Sequence, residues 1–139
     1  DLYICTRRRG NMHIVFGGAY NGKRQYVLAQ LANEPYEEYS GEIPNEACKT
    51  VIISNFEQLV MKYRQMDELE VAKMITAQIT RLSKQVKVIC ICNDIGRGIV
   101  PIDKDERFIR DTCGRVYQAL FKEAESIVRI WYGIAERIK

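Results

Sequence analysis

The sequence predicts an α/β domain built on a mainly parallel sheet, and three observations carry that prediction. Short β-branched and apolar runs recur at 13–16, 50–54, 86–92 and 127–132. Stretches with apolar residues at offsets of three and four separate them, and a glycine-rich loop joins the first run to the first such stretch. A chain of 139 residues, 47% hydrophobic and 28% charged, has the size and composition of one globular domain. No apolar run approaches the roughly eighteen residues of a membrane span, and no secretory h-region follows the N-terminus, so a cytoplasmic protein is expected. The net charge of +3 comes from 21 basic and 18 acidic residues, and Arg7, Arg8 and Arg9 supply the whole excess. That leaves no nucleic-acid footprint.

Residues 1–11 read as an N-terminal extension, with the natural start expected at Met12 and residues 12–139 forming the domain. His13 to Phe16 gives the first strand, and Tyr26, Val27, Ala29, Gln30 and Leu31 mark the helix after the glycine loop. Residues 33–49, with Glu34, Glu37, Glu38, Glu42 and Glu46 between Pro35, Gly41 and Pro44, read as an acidic loop with no packed face. Thr50 to Ser54 is the second strand, and a short helix runs from Phe56 to Tyr63. Ala72, Ile75, Ile79 and Leu82 line one face of a longer helix that begins near Asp67, a suitable N-cap. Val86 to Cys92 is almost continuously β-branched, as in a strand covered on both faces of a parallel sheet. Ile109, Cys113, Val116, Tyr117, Leu120, Phe121 and Ala124 repeat at helical spacing, Ile127 to Tyr132 gives another strand, and Ile134 to Ile138 adds an antiparallel one after Gly133.

The pattern Gly17-x-x-x-x-Gly22-Lys23 between a strand and a helix is that of a phosphate loop. Its glycines let backbone N–H groups curl around phosphates, and its lysine meets the terminal ones. Gly17, Gly18, Ala19, Tyr20, Asn21, Gly22, Lys23 and Arg24 are therefore the candidate nucleotide-binding residues, for GTP or ATP. Arg24 stands where the motif places the Ser or Thr that holds Mg²⁺. A guanidinium has no lone pair for a metal and repels it, so Mg²⁺ binding is expected to be weakened and no metal ligand is assigned. The five cysteines, Cys5, Cys48, Cys90, Cys92 and Cys113, lack CxxC spacing and read as small hydrophobes. His13 is the only histidine, which leaves little for a catalytic triad.

Two stretches resemble the bifunctional adenosylcobinamide kinase/adenosylcobinamide-phosphate guanylyltransferase family of cobalamin biosynthesis. The first is His13-Ile14-Val15-Phe16-Gly17-Gly18-Ala19-Tyr20-Asn21-Gly22-Lys23. The second is Asn93-Asp94-Ile95-Gly96-Arg97-Gly98-Ile99-Val100-Pro101, followed by Arg107-Phe108-Ile109-Arg110-Asp111 and Gly114-Arg115-Val116-Tyr117-Gln118, with Gly133 and Lys139 fitting the closing strand. The resemblance implies a P-loop (RecA-like) three-layer domain with a mainly parallel sheet, assembled as a homotrimer. It implies phosphorylation of an adenosylcobinamide hydroxyl by ATP or GTP, then transfer of GMP from GTP onto that phosphate through a guanylylated histidine. Lys23 and Asp94 take the catalytic positions in this pattern. Arg107 and Arg110 are candidates either for phosphate or for an ion pair with Asp111.

The chain also departs from the family. The unit that carries the guanylylated histidine lies after the phosphate-loop helix, where this chain has only the acidic segment 33–49, without histidine or apolar strand. His13 precedes the loop and reads as a partly exposed residue at the strand entry. Ser54 stands where the family places a carboxylate, and Glu57, one turn on, reads as part of a solvated helix face. Two functions are therefore carried forward: a protein of the adenosylcobinamide kinase/guanylyltransferase type that phosphorylates adenosylcobinamide and whose guanylyl-transfer step is without its expected histidine, and a nucleotide- or corrinoid-binding homologue without catalysis.

Overall fold

In the computed structural model the described residues are 11–18, 22–94 and 103–139. They form β1 (Met12–Gly17), α1 (Lys23–Leu31), β2 (Tyr36–Ser40), β3 (Thr50–Ser54), α2 (Phe56–Met61), α3 (Glu68–Ser83), β4 (Val88–Asn93), α4 (Lys104–Glu123), β5 (Ser126–Trp131) and β6 (Ile134–Arg137). The six strands make one sheet in the order β2-β3-β4-β1-β5-β6. Every pairing is parallel except β5 with β6. The mainly parallel α/β sheet expected from the sequence is thus present. The arginine run, Cys5, Ala19, Tyr20, Asn21 and the segment Ile95 to Pro101 lie outside the described residues.

The central strands are apolar because both faces are covered. On β4, Val88, Cys90 and Cys92 face a cluster supplied by α2, α3 and α4, including Phe56, Leu59, Ile75, Ile79, Cys113, Val116 and Leu120. Ile89 and Ile91 face the other way, into a smaller cluster with Val15, Ile52 and Ile130 and with Val27 and Leu31 of α1. Three helices therefore cover one face of the sheet and α1 the other.

Local chemistry sets the helix ends. The Asp67 carboxylate accepts from the backbone N–H groups of Leu69 and Glu70 at 3.0 and 3.3 Å, which starts α3 where the sequence places it. Asp103 does the same for α4, accepting from Glu106 N–H at 2.7 Å. At the far end of α4 the Lys139 ammonium donates to the carbonyls of Phe121 and Lys122, both at 3.2 Å, satisfying last-turn acceptors that have no partner within the helix. Arg115 joins α4 to α3 through Glu68 at 3.1 Å.

One sequence expectation is corrected. Residues 33–49 are not all loop, because Tyr36–Ser40 form β2, paired in parallel with β3 from Tyr36↔Thr50 to Ser40↔Ser54. This is an edge strand whose residues alternate between exposed and half-buried, so it needs no apolar run. Its Glu37 and Glu38 put charge on an edge that would otherwise invite further pairing. Tyr39, Ile43 and Ala47 pack against the larger core cluster, so the segment does have a packed face.

Asn11 is also part of the packed structure. It is buried, its N–H donates to Ser83 O at 3.2 Å and its carbonyl accepts from Val88 N at 2.9 Å.

Candidate functional site

β1 is flanked by β4 and β5, α1 covers one face of the sheet and α4 the other, and the chain therefore diverges after β1 and β4 to opposite sides. In open parallel sheets such a divergence leaves a crevice beyond the C-terminal strand ends, where ligands bind. Here it holds a cavity of about 610 Å³ lined by Phe16, Gly17, Gly18, Asp94, Arg129, Ile130, Trp131 and Tyr132.

Gly17 must be glycine for a packing reason. A Cβ built on it would overlap the Ile130 carbonyl of β5, so only a bare backbone lets the loop leave β1 this close to its neighbour. Gly22 has φ 78° and ψ 24°, the left-handed conformation, and turns the chain into α1. Lys23, the first helical residue, is only 6% exposed, and its ammonium donates to Gly18 O at 2.5 Å. The lysine ammonium thus turns back toward the C-terminal end of β1.

Burial lowers the pKa of Lys23, and the Cys92 and Glu57 groups oppose that shift. Glu57 is therefore not on a solvated face. It is half-buried at the start of α2, close enough to Lys23 for its charge to be felt there and at the Cys92, Cys113 and Tyr117 side chains. The reason is geometric: α2 starts directly after β3 at Asn55, which has φ 59° and caps the helix by accepting from Gln58 N–H. Burial pushes the Cys90 and Cys113 thiols up to about 12 and Cys92 well above its ordinary value, which makes them packing groups and not thiolates.

Asp94 follows β4 directly, its N–H donates to Gly17 O at 2.8 Å, and it shares the cavity with Gly17 and Gly18. The structure so brings Gly17, Gly18, Lys23 and Asp94 to one place. Arg24 points elsewhere: its guanidinium grips Glu38 of β2 through two bonds of 2.6 and 2.9 Å. That contact raises the pKa of Arg24 and lowers that of Glu38. Arg110 pairs with Asp111 at 3.2 Å and lines a surface recess with Glu68 and Gln118, while Arg107 is exposed near the start of α4. His13 is at the opposite end of β1, with Nδ1 2.7 Å from Ser126 Oγ and Nε2 2.9 Å from Asn11 Oδ1.

Sequence reasoning placed Glu57 on a solvated face and did not single out Arg129, Trp131 and Tyr132, which line the cavity. The signal for the last three was a lone tryptophan ending a strand beside a tyrosine-glycine turn.

Gly17 at the C-terminal end of the strand between β4 and β5, a left-handed Gly22 and the buried Lys23 beside it are the described ends of a phosphate-loop pattern in an α/β protein. The family described as cobinamide kinase / cobinamide phosphate guanyltransferase matches residues 44–138, and the chain belongs to that family. The match begins after the glycine loop. Two relatives carry the name bifunctional adenosylcobalamin biosynthesis protein CobU. The one from Escherichia coli is 32% identical over 111 residues, 69% of this chain and 60% of the relative. The one from Salmonella typhimurium is 40% identical over 53 residues, 38% of this chain and 29% of the relative. The matched part of the chain thus spans less than two thirds of either relative. A solved chain from Pyrococcus horikoshii OT3 overlays at TM-score 0.48 and 9% identity, over 98% of this chain and 89% of that one, a likeness too slight to carry an argument. No helix among the described residues is long and apolar enough to cross a membrane.

Proposed function

We propose that the chain binds ATP or GTP at Gly17–Lys23 and transfers the terminal phosphate to a hydroxyl of adenosylcobinamide, without the guanylyl-transfer step. The observation that supports this reading is the single crevice shared by Gly17, Gly18 and Asp94, with the Lys23 ammonium bonded at 2.5 Å to the Gly18 carbonyl. On binding, the ammonium exchanges that carbonyl for phosphate oxygens. The substrate hydroxyl oxygen attacks the terminal phosphorus, the bond to the bridging oxygen breaks, and the nucleoside diphosphate leaves while Asp94 takes the hydroxyl proton.

The donor set does not fit a Mg²⁺ held by the protein. Arg24 offers N–H donors only and is engaged by Glu38, and Ser54 stands where the family resemblance implies a carboxylate. Among the described residues no group of three or more His, Cys, Asp or Glu side chains could hold a metal ion. No step is therefore assigned to one. The guanylyl step is left out because β2 follows α1 directly and His13 lies at the far end of β1. The homotrimer implied by the family resemblance belongs to this reading, with the exposed Ile134 and Ile138 supplying apolar surface for it.

The Arg24–Glu38 pair also favours a second reading, a homologue that binds nucleotide or corrinoid without turnover. Incubation with adenosylcobinamide and GTP labelled in turn at the γ- and α-phosphates separates the two. Transfer of the γ-label supports the kinase, binding without transfer supports the second reading, and a covalent α-label on the protein overturns the exclusion of guanylyl transfer.

A further inference from the structure

We infer that Trp131 and Tyr132 form the seat for the purine ring of the nucleotide, an inference that rests on the phosphate-loop reading and extends it. A nucleotide anchored by its phosphates at Gly18 and Lys23 must lay its base to one side of β1. Among the described residues, the β4 side offers Asp94, a carboxylate, and beyond it Ser54 at the end of β3 and Asn55 after it. On the β5 side stand the only tryptophan of the chain and a tyrosine, lining the same cavity as Gly17 and Gly18. Of these described groups, the aromatic pair is the one suited to a flat conjugated ring.

The arrangement there is held in place. The Trp131 and Tyr132 rings are 5.5 Å apart, inclined at 53°, and the Arg129 guanidinium sits 4.8 Å from the indole centroid. That stack fixes the orientation of an indole that is still 42% exposed.

Backbone geometry supplies an independent observation. Trp131 pairs with Ile134, so Tyr132 and Gly133 are the two turn residues between β5 and β6, with φ 52° and 73°. Such turns favour Asn, Asp or Gly at the first position, because a side chain with a Cβ is strained in the left-handed region. A tyrosine stands there although the residue is 86% exposed and contributes little to the core. Strain at an exposed aromatic beside a ligand cavity marks a binding function. Stacking uses the face that every base has, so this seat accepts adenine and guanine alike.

The test measures binding of GTP, ATP and inorganic tripolyphosphate to the full chain, by calorimetry and by the fluorescence of its single tryptophan. Both nucleotides are expected to quench Trp131, to bind within a few-fold of each other, and to bind more tightly than tripolyphosphate. Tyr132→Asn relieves the turn, so its Tm is expected to hold or rise while its GTP affinity falls roughly 5- to 150-fold and its tripolyphosphate affinity does not change. Trp131→Leu, followed by calorimetry, is expected to show the same split. The inference is overturned if both variants keep wild-type GTP affinity, or if they lose GTP and tripolyphosphate equally. Preferential loss of cobinamide in Tyr132→Asn overturns the purine assignment in favour of the corrin ring. A wild-type chain that binds neither GTP nor tripolyphosphate overturns the phosphate-loop reading and this inference with it.

Discussion

Replacing Lys23 by methionine should move stability and ligand binding in opposite directions. Methionine keeps the length and apolar stem of lysine but removes the charge and its bond to Gly18 O. A hydrogen bond from a charged group contributes about 1.5–3 kcal/mol, whereas taking an ammonium out of water costs several kcal/mol. The lowered pKa of Lys23, with burial as its main cause, says that desolvation outweighs the favourable contacts in the ligand-free protein. Lys23→Met is therefore expected to leave stability unchanged or to raise it slightly. The balance reverses when phosphate is present. Losing one charge-assisted contact of about 1.5–3 kcal/mol predicts a weakening of tripolyphosphate and GTP binding by roughly 10- to 150-fold. There is a pH signature as well. A lysine whose folded pKa lies below its unfolded value of 10.5 makes the protein gain stability as pH rises through the folded value toward 10.5. That gain should vanish in the variant. Urea titrations at neutral and alkaline pH, paired with calorimetry, measure all three effects. A variant that is markedly less stable yet binds tripolyphosphate like the wild type would refute the placement of Lys23 on phosphate.

Gly17→Ala forces a Cβ onto the Ile130 carbonyl and should cost about 1–3 kcal/mol, lowering Tm by roughly 4–12 °C; an unchanged Tm would mean that β1 and β5 are not held this close. For His13, burial lowers the pKa from its ordinary 6.5, with Glu125 and Glu34 opposing the shift and Lys87 and Arg137 adding to it. The unfolded chain then takes the proton first, so stability should fall as pH drops from about 6.5 through the folded value, and His13→Gln should flatten that slope in Tm measured between pH 8 and 5. Arg24→Ser releases Glu38 and puts a hydroxyl at the metal-binding position, so GTP affinity should become more dependent on Mg²⁺ than in the wild type. Equal Mg²⁺ dependence of the two proteins would remove Arg24 as the cause.

What could be read from the sequence was whatever is written in local patterns. β3 and β4 are β-branched runs because both their faces are covered, and α3 and α4 show their apolar stripes and Asp caps in plain order. A phosphate-loop pattern could be read from Gly17, Gly22 and Lys23 because it is written within a few residues, and of these the left-handed Gly22 and the bond from Lys23 to Gly18 O are seen in the fold. β2 was hidden because an edge strand needs no apolar face, and Tyr-Glu-Glu-Tyr-Ser between turn residues has the composition of a loop. Glu57 was hidden because a helix of six residues is too short to show a face by periodicity. Trp131 and Tyr132 reach the cavity beside Gly17 only through the pairing of β1 with β5, a contact across more than a hundred residues that no local pattern encodes.

The Arg24–Glu38 pair links what was hidden to what was legible. Viewed along the sequence, Arg24 is a damaged phosphate loop; viewed in the fold, it is the clamp between α1 and the edge strand that follows it. An exposed ion pair contributes little by itself, but this one joins the two elements on either side of a short connection, where the family resemblance implies an additional unit. A chain that passes directly from α1 to β2 needs its edge strand held by something at that junction, and an arginine at position 24 can reach it where a serine or threonine cannot. The lost hydroxyl and the gained clamp are then one change with two consequences. That argument has a specific corollary: Glu38→Gln should loosen the β2 edge, seen as faster amide exchange at Tyr36 to Ser40, while leaving the Mg²⁺ dependence of nucleotide binding as it is in the wild type. Arg24→Ser should loosen the edge and also raise the Mg²⁺ dependence, and an Arg24→Ser protein with wild-type exchange at β2 would show that the clamp is not what holds the strand.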